Sequence, residues 1–257
     1  MKTSYTVFFL FILLLGISNL GIISAFSEVA PQKTADTISA KDAINAASKN
    51  NKYLALLCYD SQNSLYKEMQ ATLNKFNEES KEKIQVYELL TSDTKEAEIV
   101  EMYRINNAPL PLLLVMAPNG AITGGFPQKV MTEQLSKSIV SESISKIIKA
   151  MQSEKVVLVL LQNSKTNYNE ESSQAARDFS NDERLKEMVE MFNIDPNTPD
   201  NKDFIAQCRL KPDIKESTIV MIIPPGRIAG VYPGKITKDK LLSALATCSA
   251  GSGCCPK

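Results

Sequence analysis

The second half of this chain repeats the first half. The segment PNGAITGGFPQKVMTEQL, residues 118–135, aligns without a gap with PPGRIAGVYPGKITKDKL, residues 224–241, with seven identical positions. Weaker matches continue upstream, between residues 43–57 and 146–160 and between residues 99–105 and 204–210. A period slightly above about 100 residues is longer than that of any solenoid repeat, so the sequence predicts a duplicated domain with a boundary near Val140.

Each copy shows the same order of predicted elements. Almost purely apolar runs at residues 53–58 and 156–161 suit central strands that are covered on both faces. Further helices are predicted around residues 65–76, 94–104, 144–151 and 203–210, and further strands at residues 84–90, 112–116, 189–194 and 218–223. Pro-Asn-Gly and Pro-Pro-Gly turns then lead into short partner strands, and Thr132 and Thr237 are suitable N-caps for the closing helices. The order αβαβαββα predicts the α/β class, with a mixed central sheet flanked by helices in each copy.

Composition excludes several kinds of chemistry. The chain has 29 basic and 29 acidic residues with no long run of one sign, so we expect no nucleic-acid partner. Histidine is absent, which excludes Ser-His-Asp and Cys-His catalysis and the usual catalytic zinc sites. We expect no cofactor in the two domains.

The N-terminal residues have the build of a secretory signal peptide. Lys2 precedes an apolar core from Val7 to Gly16, and Ala25 and Ser27 suit cleavage after Ser27. The alternative is an uncleaved anchor formed by residues 7–26, because about 20 apolar residues can span a bilayer. Either interpretation places the folded part outside the cytoplasm, as a periplasmic or secreted protein, with membrane contact only through an uncleaved segment.

The predicted boundaries divide the chain into five parts. They are a signal peptide or anchor (1–27), a polar leader (28–37), a first domain (38–140), a second domain (141–246) and a flexible cysteine-rich tail (247–257).

The element order, together with PLLLVMAPNGAI from Pro111 to Ile122, resembles the thioredoxin superfamily. This resemblance implies two tandem thioredoxin-like domains, a cis-proline before the third strand of the first domain, and a groove beside it that holds extended chains. Pro111 is the favoured cis-proline and Pro109 its rival, with Leu110 between them in the groove. In the second copy Ser217 replaces that proline.

The same resemblance places Ser61, Gln62, Asn63 and Ser64 where an active thioredoxin carries its Cys-x-x-Cys motif. Serine cannot exchange disulfides, and no histidine is present to activate a hydroxyl. Ser61 or Ser64 is therefore interpreted as a helix N-cap, a role that Asp60 could also fill.

Five cysteines remain. Cys58 and Cys208 fall within apolar patterns and are predicted to be core residues. Cys248, Cys254 and Cys255 lie in a Gly- and Ser-rich end, where they could form a disulfide, exchange disulfides, or bind a soft metal such as Cu(I) or a metalloid such as As(III).

Two classes of function are consistent with these features. The favoured one is a non-catalytic, extracytoplasmic binding or scaffold protein that takes a protein or peptide partner. The alternative is a thiol-disulfide exchange protein, or a soft-metal or metalloid binder, that uses the C-terminal cysteines. Aromatic or methionine side chains exposed beside Pro111 would favour the first, and reactive thiols confined to the tail would favour the second.

Overall fold

A computed structural model of the protein describes residues 38–80 and 84–249, without the side chains of residues 248 and 249. The predicted signal peptide and leader, and with them the proposed anchor, lie outside the described residues, as do Cys254 and Cys255. No helix within the described ranges is both long and apolar enough to cross a bilayer.

Two consecutive sets of elements build the chain. In the first domain they are α1 (Ala40–Lys49), β1 (Leu54–Tyr59), α2 (Ser64–Glu79), β2 (Gln85–Leu90), a 3₁₀ turn (Thr94–Glu96), α3 (Ala97–Met102), a second 3₁₀ turn (Ile105–Asn107), β3 (Leu112–Met116), β4 (Ile122–Pro127) and α4 (Thr132–Ser138). In the second domain they are α5 (Glu142–Gln152), β5 (Val156–Leu161), α6 (Asn169–Ser180), β6 (Val189–Ile194), a 3₁₀ turn (Pro199–Asn201), α7 (Lys202–Gln207), β7 (Thr218–Ile223), β8 (Arg227–Pro233) and α8 (Lys238–Ser249). The predicted order of helices and strands is confirmed, and α8 extends to Ser249 through residues that the sequence assigned to the tail.

The two sheets have the same topology. Their strand orders are β2-β1-β3-β4 and β6-β5-β7-β8, with only the first pair of each sheet parallel. The registers also correspond, since Cys58 lies opposite Leu112 and Leu161 lies opposite Thr218. The predicted fold class, two mixed sheets flanked by helices, is confirmed.

Helices cover both faces of each sheet, which explains why the central strands are apolar throughout. In the first domain, α2 and α4 pack on one face of β1, while α1 and α3 pack on the other. The buried stripe of α2 consists of Tyr66, Met69, Leu73 and Phe76. The helical spacing of the apolar residues in the sequence predicts Leu65 on this same face, but Leu65 lies on the exposed side of the first helical turn.

One of the two predicted helix caps also differs. Thr237 caps α8 as expected, because its hydroxyl accepts a hydrogen bond from the Lys240 amide. Thr132, however, is already the first residue of α4, and Met131 occupies the cap position. Met131 corresponds to Thr237 in the internal repeat, and the Gln134 side chain accepts a bond from the Met131 amide instead.

The two domains are joined by specific contacts around α5. The Tyr53 hydroxyl donates to the Val140 carbonyl (2.7 Å) and accepts from the Val140 amide (3.1 Å). The Gln152 carboxamide accepts from the Ile122 amide (3.0 Å) and donates to the Ile122 carbonyl (2.8 Å). The bonds of Tyr53 hold Val140 in the segment between α4 and α5. The bonds of Gln152 satisfy the backbone of Ile122, the first residue of β4, with a side chain of the second domain.

Asp182 connects the α6–β6 loop to the start of α8. Its carboxylate accepts bonds from the Arg184 guanidinium (2.8 and 2.9 Å) and forms an ion pair with Lys238 (2.9 Å). The bond from Arg184, followed by that from Lys238, holds the pKa of the Asp182 carboxyl well below its usual range.

We expect Asp182→Asn to lower the stability of the second domain near neutral pH. A carboxyl whose pKa is lowered by folding contributes stability above its unfolded pKa, and this contribution disappears as the pH falls toward the folded value. Urea unfolding followed by circular dichroism should show a lower free energy of unfolding for the variant than for wild type at about pH 7. This difference should become smaller below about pH 4. A difference in the free energy of unfolding that stays the same from neutral to acidic pH would contradict this explanation.

Candidate binding groove

The end of β1 and the start of β3 meet at one end of the first sheet. Because Cys58 lies opposite Leu112 in an antiparallel pair, the residues after Cys58 approach those before Leu112. This end carries loop 60–63, which leads into α2, and residues 109–111, which lead into β3. The strand order, the single parallel pair and a helix that starts directly after the first central strand are repeated in the second domain. Both domains have the thioredoxin-like fold.

Loop 60–63 of the first thioredoxin-like domain is a polar, exposed helix start. The cap of α2 is Asn63, whose side chain accepts from the Tyr66 amide (3.0 Å). Ser61 donates instead to the Asp60 carboxylate (3.0 Å), and Ser64 is the first residue of the helix. The sequence predicted the cap at Ser61, Ser64 or Asp60, and this was wrong. The helix begins at Ser64, so the cap position directly before it is occupied by Asn63.

The prolines that face this loop differ in exposure. The Leu110–Pro111 peptide bond is cis, and Pro111 is buried with its carbonyl accepting from the Gln128 amide (2.6 Å). Leu110 is half-buried, whereas Pro109 is exposed. Within the described residues, no hydrogen bond links residues 60–63 to residues 109–111. The first domain therefore has an open groove, defined here as the surface between these two segments.

The corresponding groove of the second domain is closed by the chain itself. Residues 162–168 connect β5 to α6, a longer loop than residues 60–63 in the first domain. The Asn167 amide donates to the Lys215 carbonyl (2.9 Å), and the Ser217 amide donates to the Asn167 carbonyl (2.8 Å). Asn167 thus forms a parallel β-bridge with Glu216, the position that matches Leu110.

The residue before the third strand explains this difference. Ser217 supplies the amide hydrogen that binds Asn167, whereas Pro111 at the matching position has no amide hydrogen. Side chains reinforce the closure, since the Ser217 hydroxyl donates to the Gln162 carboxamide (2.9 Å) and Gln162 donates to Ser173 (3.0 Å). Sequence reasoning identified the exchange of proline for serine but not the self-pairing that it permits.

Two exposed apolar side chains lie at the open end of the first domain. Leu65, in the first turn of α2, is 36% exposed, and Met131, directly before α4, is 53% exposed. Both helices pack on the same face of the sheet and start from this end. The open groove is therefore flanked by apolar surface on the α2–α4 side.

A polar network around the Tyr66 hydroxyl links the start of α2 to β2. The Tyr66 hydroxyl donates to one Glu88 oxygen (2.7 Å), and Gln70 donates to the other (2.6 Å). The Tyr66 ring packs against Tyr59 with centroids 4.6 Å apart. Burial, followed by the bond to Glu88, raises the pKa of Tyr66 far above its usual range, so this hydroxyl is a donor and not a base. Nothing in the residue spacing indicated this network.

The two cysteines whose side chains are described are core residues. Burial, followed by the negative charge of Glu96, raises the pKa of the Cys58 thiol to about 12. Burial also raises the pKa of the Cys208 thiol to about 11. Cys58 points to the α1–α3 face of the sheet, away from α2. Of the tail cysteines, Cys248 lies in the last turn of α8.

We expect neither Cys58 nor Cys208 to react with a thiol reagent in the folded protein at neutral pH, because the reactive species is the thiolate. In a Cys248→Ser/Cys254→Ser/Cys255→Ser variant, Ellman's reagent should detect no fast thiol before denaturation and both thiols after it. Fast labelling of the folded variant would show that a core cysteine is accessible.

The described part of the chain contains no group of three or more cysteine, aspartate or glutamate side chains placed to hold a metal ion. The soft-metal hypothesis therefore concerns the tail alone.

Comparisons with known proteins found solved structures of low similarity. No protein-family model and no curated protein matches the chain. The first two thioredoxin domains of Saccharomyces cerevisiae Eps1p share 11% identity over 83% of this chain and 98% of that chain, with a TM-score of 0.32. Human ERp44 shares 13% identity over 87% of this chain and 59% of its own, with a TM-score of 0.34. The NTD_N/C domain of AhpF from Enterococcus faecalis shares 15% identity over 80% and 98%, with a TM-score of 0.29.

Proposed function

We propose that this protein is a non-catalytic, extracytoplasmic binding protein that holds an extended polypeptide in the groove of its first domain. The observation that carries this proposal is the contrast between the two copies. The second domain fills its groove with Asn167 of its own chain, whereas the first domain leaves the matching backbone around Leu110 unpaired within the described residues.

Backbone pairing defines the chemistry of the partner. In this segment Leu110 offers its N–H and C=O and Pro109 offers its C=O to an extended chain, as in other cases of strand addition. The Pro111 carbonyl is already bound to Gln128. Leu65 and Met131 add apolar contact on one side, which favours a partner with apolar side chains next to the paired segment. A flexible or unfolded polypeptide meets both requirements.

The groove contains no group suited to covalent chemistry. Ser61 and Ser64 replace the redox pair, and the Ser61 hydroxyl is bound to Asp60. Cys58 is buried on the opposite face with a raised pKa. Binding without thiol exchange is therefore the activity that these residues support. The apolar N-terminal segment supports the extracytoplasmic location.

Affinity for an unfolded chain tests the proposal. Fluorescein-labelled, reduced and carboxymethylated α-lactalbumin is titrated with the protein, and fluorescence anisotropy reports binding. We expect Leu65→Glu/Met131→Glu to weaken binding about tenfold or more, because each change removes apolar contact at the groove.

The control is Met102→Glu, a change at an equally exposed methionine on α3, and it should bind like wild type. Equal affinity of the groove variant and wild type would overturn the proposal. Failure of the wild-type protein to bind the unfolded chain would overturn it as well.

We also propose, as a second candidate, that any thiol chemistry of the chain resides in Cys248, Cys254 and Cys255. The supporting observation is that both cysteines with described side chains are buried and hold their protons. Reduced wild type should then reduce insulin or bind Cu(I) or As(III), whereas Cys254→Ser/Cys255→Ser should not. Equal activity and binding of the two proteins would eliminate this candidate.

A further inference from the structure

The outer edge of β6 is an open strand edge. β6 lies at the border of its sheet, and among the residues that the structure describes it pairs only with β5. The Val156 amide donates to the Met188 carbonyl, and the Gln162 amide donates to the Ile194 carbonyl. The backbone N–H and C=O groups of the even-numbered residues of β6 therefore point toward β5. The backbone groups of Val189, Met191 and Asn193 therefore point outward, and within the described residues none of them has a backbone partner.

The edge strands β4 and β2 of the first domain are less suited to pairing with another strand. The Gln152 carboxamide satisfies the amide and the carbonyl of Ile122 on β4. β2 has Glu88 as its middle outward-facing residue, so a two-fold pairing centred there would place two carboxylates opposite each other. β6, with the sequence VEMFNI, contains neither proline nor lysine, the residues that usually guard an edge. Met188, which directly precedes it, is 53% exposed.

We propose that two copies of this chain associate through antiparallel pairing of their β6 strands, with the two-fold axis at Met191. In this register Met191 faces its own counterpart, Val189 faces Asn193, Glu190 faces Phe192, and Met188 faces Ile194. The two sheets of the second domains then form one continuous sheet of eight strands.

This register satisfies the requirements of an antiparallel pair. The outward amides and carbonyls of Val189 and Asn193 bind each other on both sides of the axis. No like charges face each other within the strands, since Glu190 lies opposite Phe192. Val189 and Met191 of each copy stay on the face that α6 and α8 cover. The interface uses the same patch on both copies, so the assembly closes as a dimer.

Proline at an outward-facing edge position tests the interface. Asn193 is exposed, and proline is tolerated on an edge strand when its missing N–H faces outward. Asn193→Pro removes an interchain hydrogen bond on each side of the axis, so we expect the dimer dissociation constant to rise about tenfold or more. Sedimentation velocity over a concentration series measures this constant for the full-length protein.

Two matched variants control for this change. Asn193→Thr keeps the amide and should dimerise like wild type. Glu88→Pro places proline at the corresponding position of β2 in the first domain and should also leave the dimer intact. Dimer loss in Glu88→Pro with retention in Asn193→Pro would assign the interface to β2 and overturn the proposal.

A crosslink tests the register without relying on proline. In a background with Cys248, Cys254 and Cys255 changed to serine, Met191→Cys should form an intermolecular disulfide under mild oxidation, because residues opposite each other lie about 5.5 Å apart between Cα atoms. Glu190→Cys, which faces Phe192, should not. Equal crosslinking of both variants, or a wild-type protein that stays monomeric at high micromolar concentration, would overturn the proposal.

Discussion

Glu96→Ala is expected to lower the free energy of unfolding by about 2–3 kcal/mol, the cost of leaving the buried Ala40 amide without an acceptor. Glu96 is only 4% exposed, and its two oxygens accept from the Ala40 amide at 3.0 and 3.2 Å. The Tyr87 hydroxyl donates to the same carboxylate (2.7 Å). The side chain therefore holds the N-terminus of α1 against the start of α3 and β2. Urea unfolding followed by circular dichroism measures the loss.

Glu98→Ala is the matched control for this prediction. Glu98 also reaches α1, through an ion pair with Lys41 (2.8 Å), but both side chains are more than half exposed. Exposed pairs of this kind contribute little to stability, so Glu98→Ala should unfold almost like wild type. If the two variants lost the same stability, the assignment of Glu96 as a buried anchor would be wrong.

Gly124→Ala is expected to destabilise the first domain by about 1–3 kcal/mol, the usual range for overpacking a filled site. A Cβ at Gly124 would lie 2.7 Å from the Phe126 ring and 2.5 Å from the Ser138 hydroxyl. The repeat preserves this arrangement, because a Cβ at Gly230 would overlap the Tyr232 ring. Gly230→Ala should therefore destabilise the second domain for the same reason.

The neighbouring glycine separates this packing effect from a general effect of alanine. A Cβ at Gly125 would meet Leu114 at 3.7 Å, an ordinary contact distance. Gly125→Ala should leave stability within about 0.5 kcal/mol of wild type, and thermal unfolding of both variants measures the difference. Equal destabilisation by Gly124→Ala and Gly125→Ala would contradict the packing explanation.

Regular elements could be predicted where burial on both sides imposes a strong pattern. The apolar runs at β5 and β7 and the strand β6 have the predicted bounds. Repeat matching also placed Gly124 and Gly230 at equivalent positions, and the structure supplies the reason, since each glycine leaves room for the aromatic ring two residues later.

Features that depend on distant contacts could not be predicted. Glutamate is usually a surface residue, so no local pattern shows that Glu96 is buried against the start of α1. The cap of α2 was misplaced because Ser61, Asn63 and Ser64 are all good caps, and only the helix start decides among them. The closure of the second groove depends on Asn167 and Glu216, which come together only in the folded domain.

Site-specific photo-crosslinking tests the contrast between the two grooves most directly. Benzoylphenylalanine is introduced at Gln62 beside the open groove or at Lys165 in the loop that closes the second groove, and reduced, carboxymethylated α-lactalbumin is the target. Both positions are exposed, so the photoreactive group itself should not disturb the fold. We expect the Gln62 variant to crosslink to the unfolded chain and the Lys165 variant not to do so. Equal crosslinking from both positions, or crosslinking from Lys165 alone, would contradict the account.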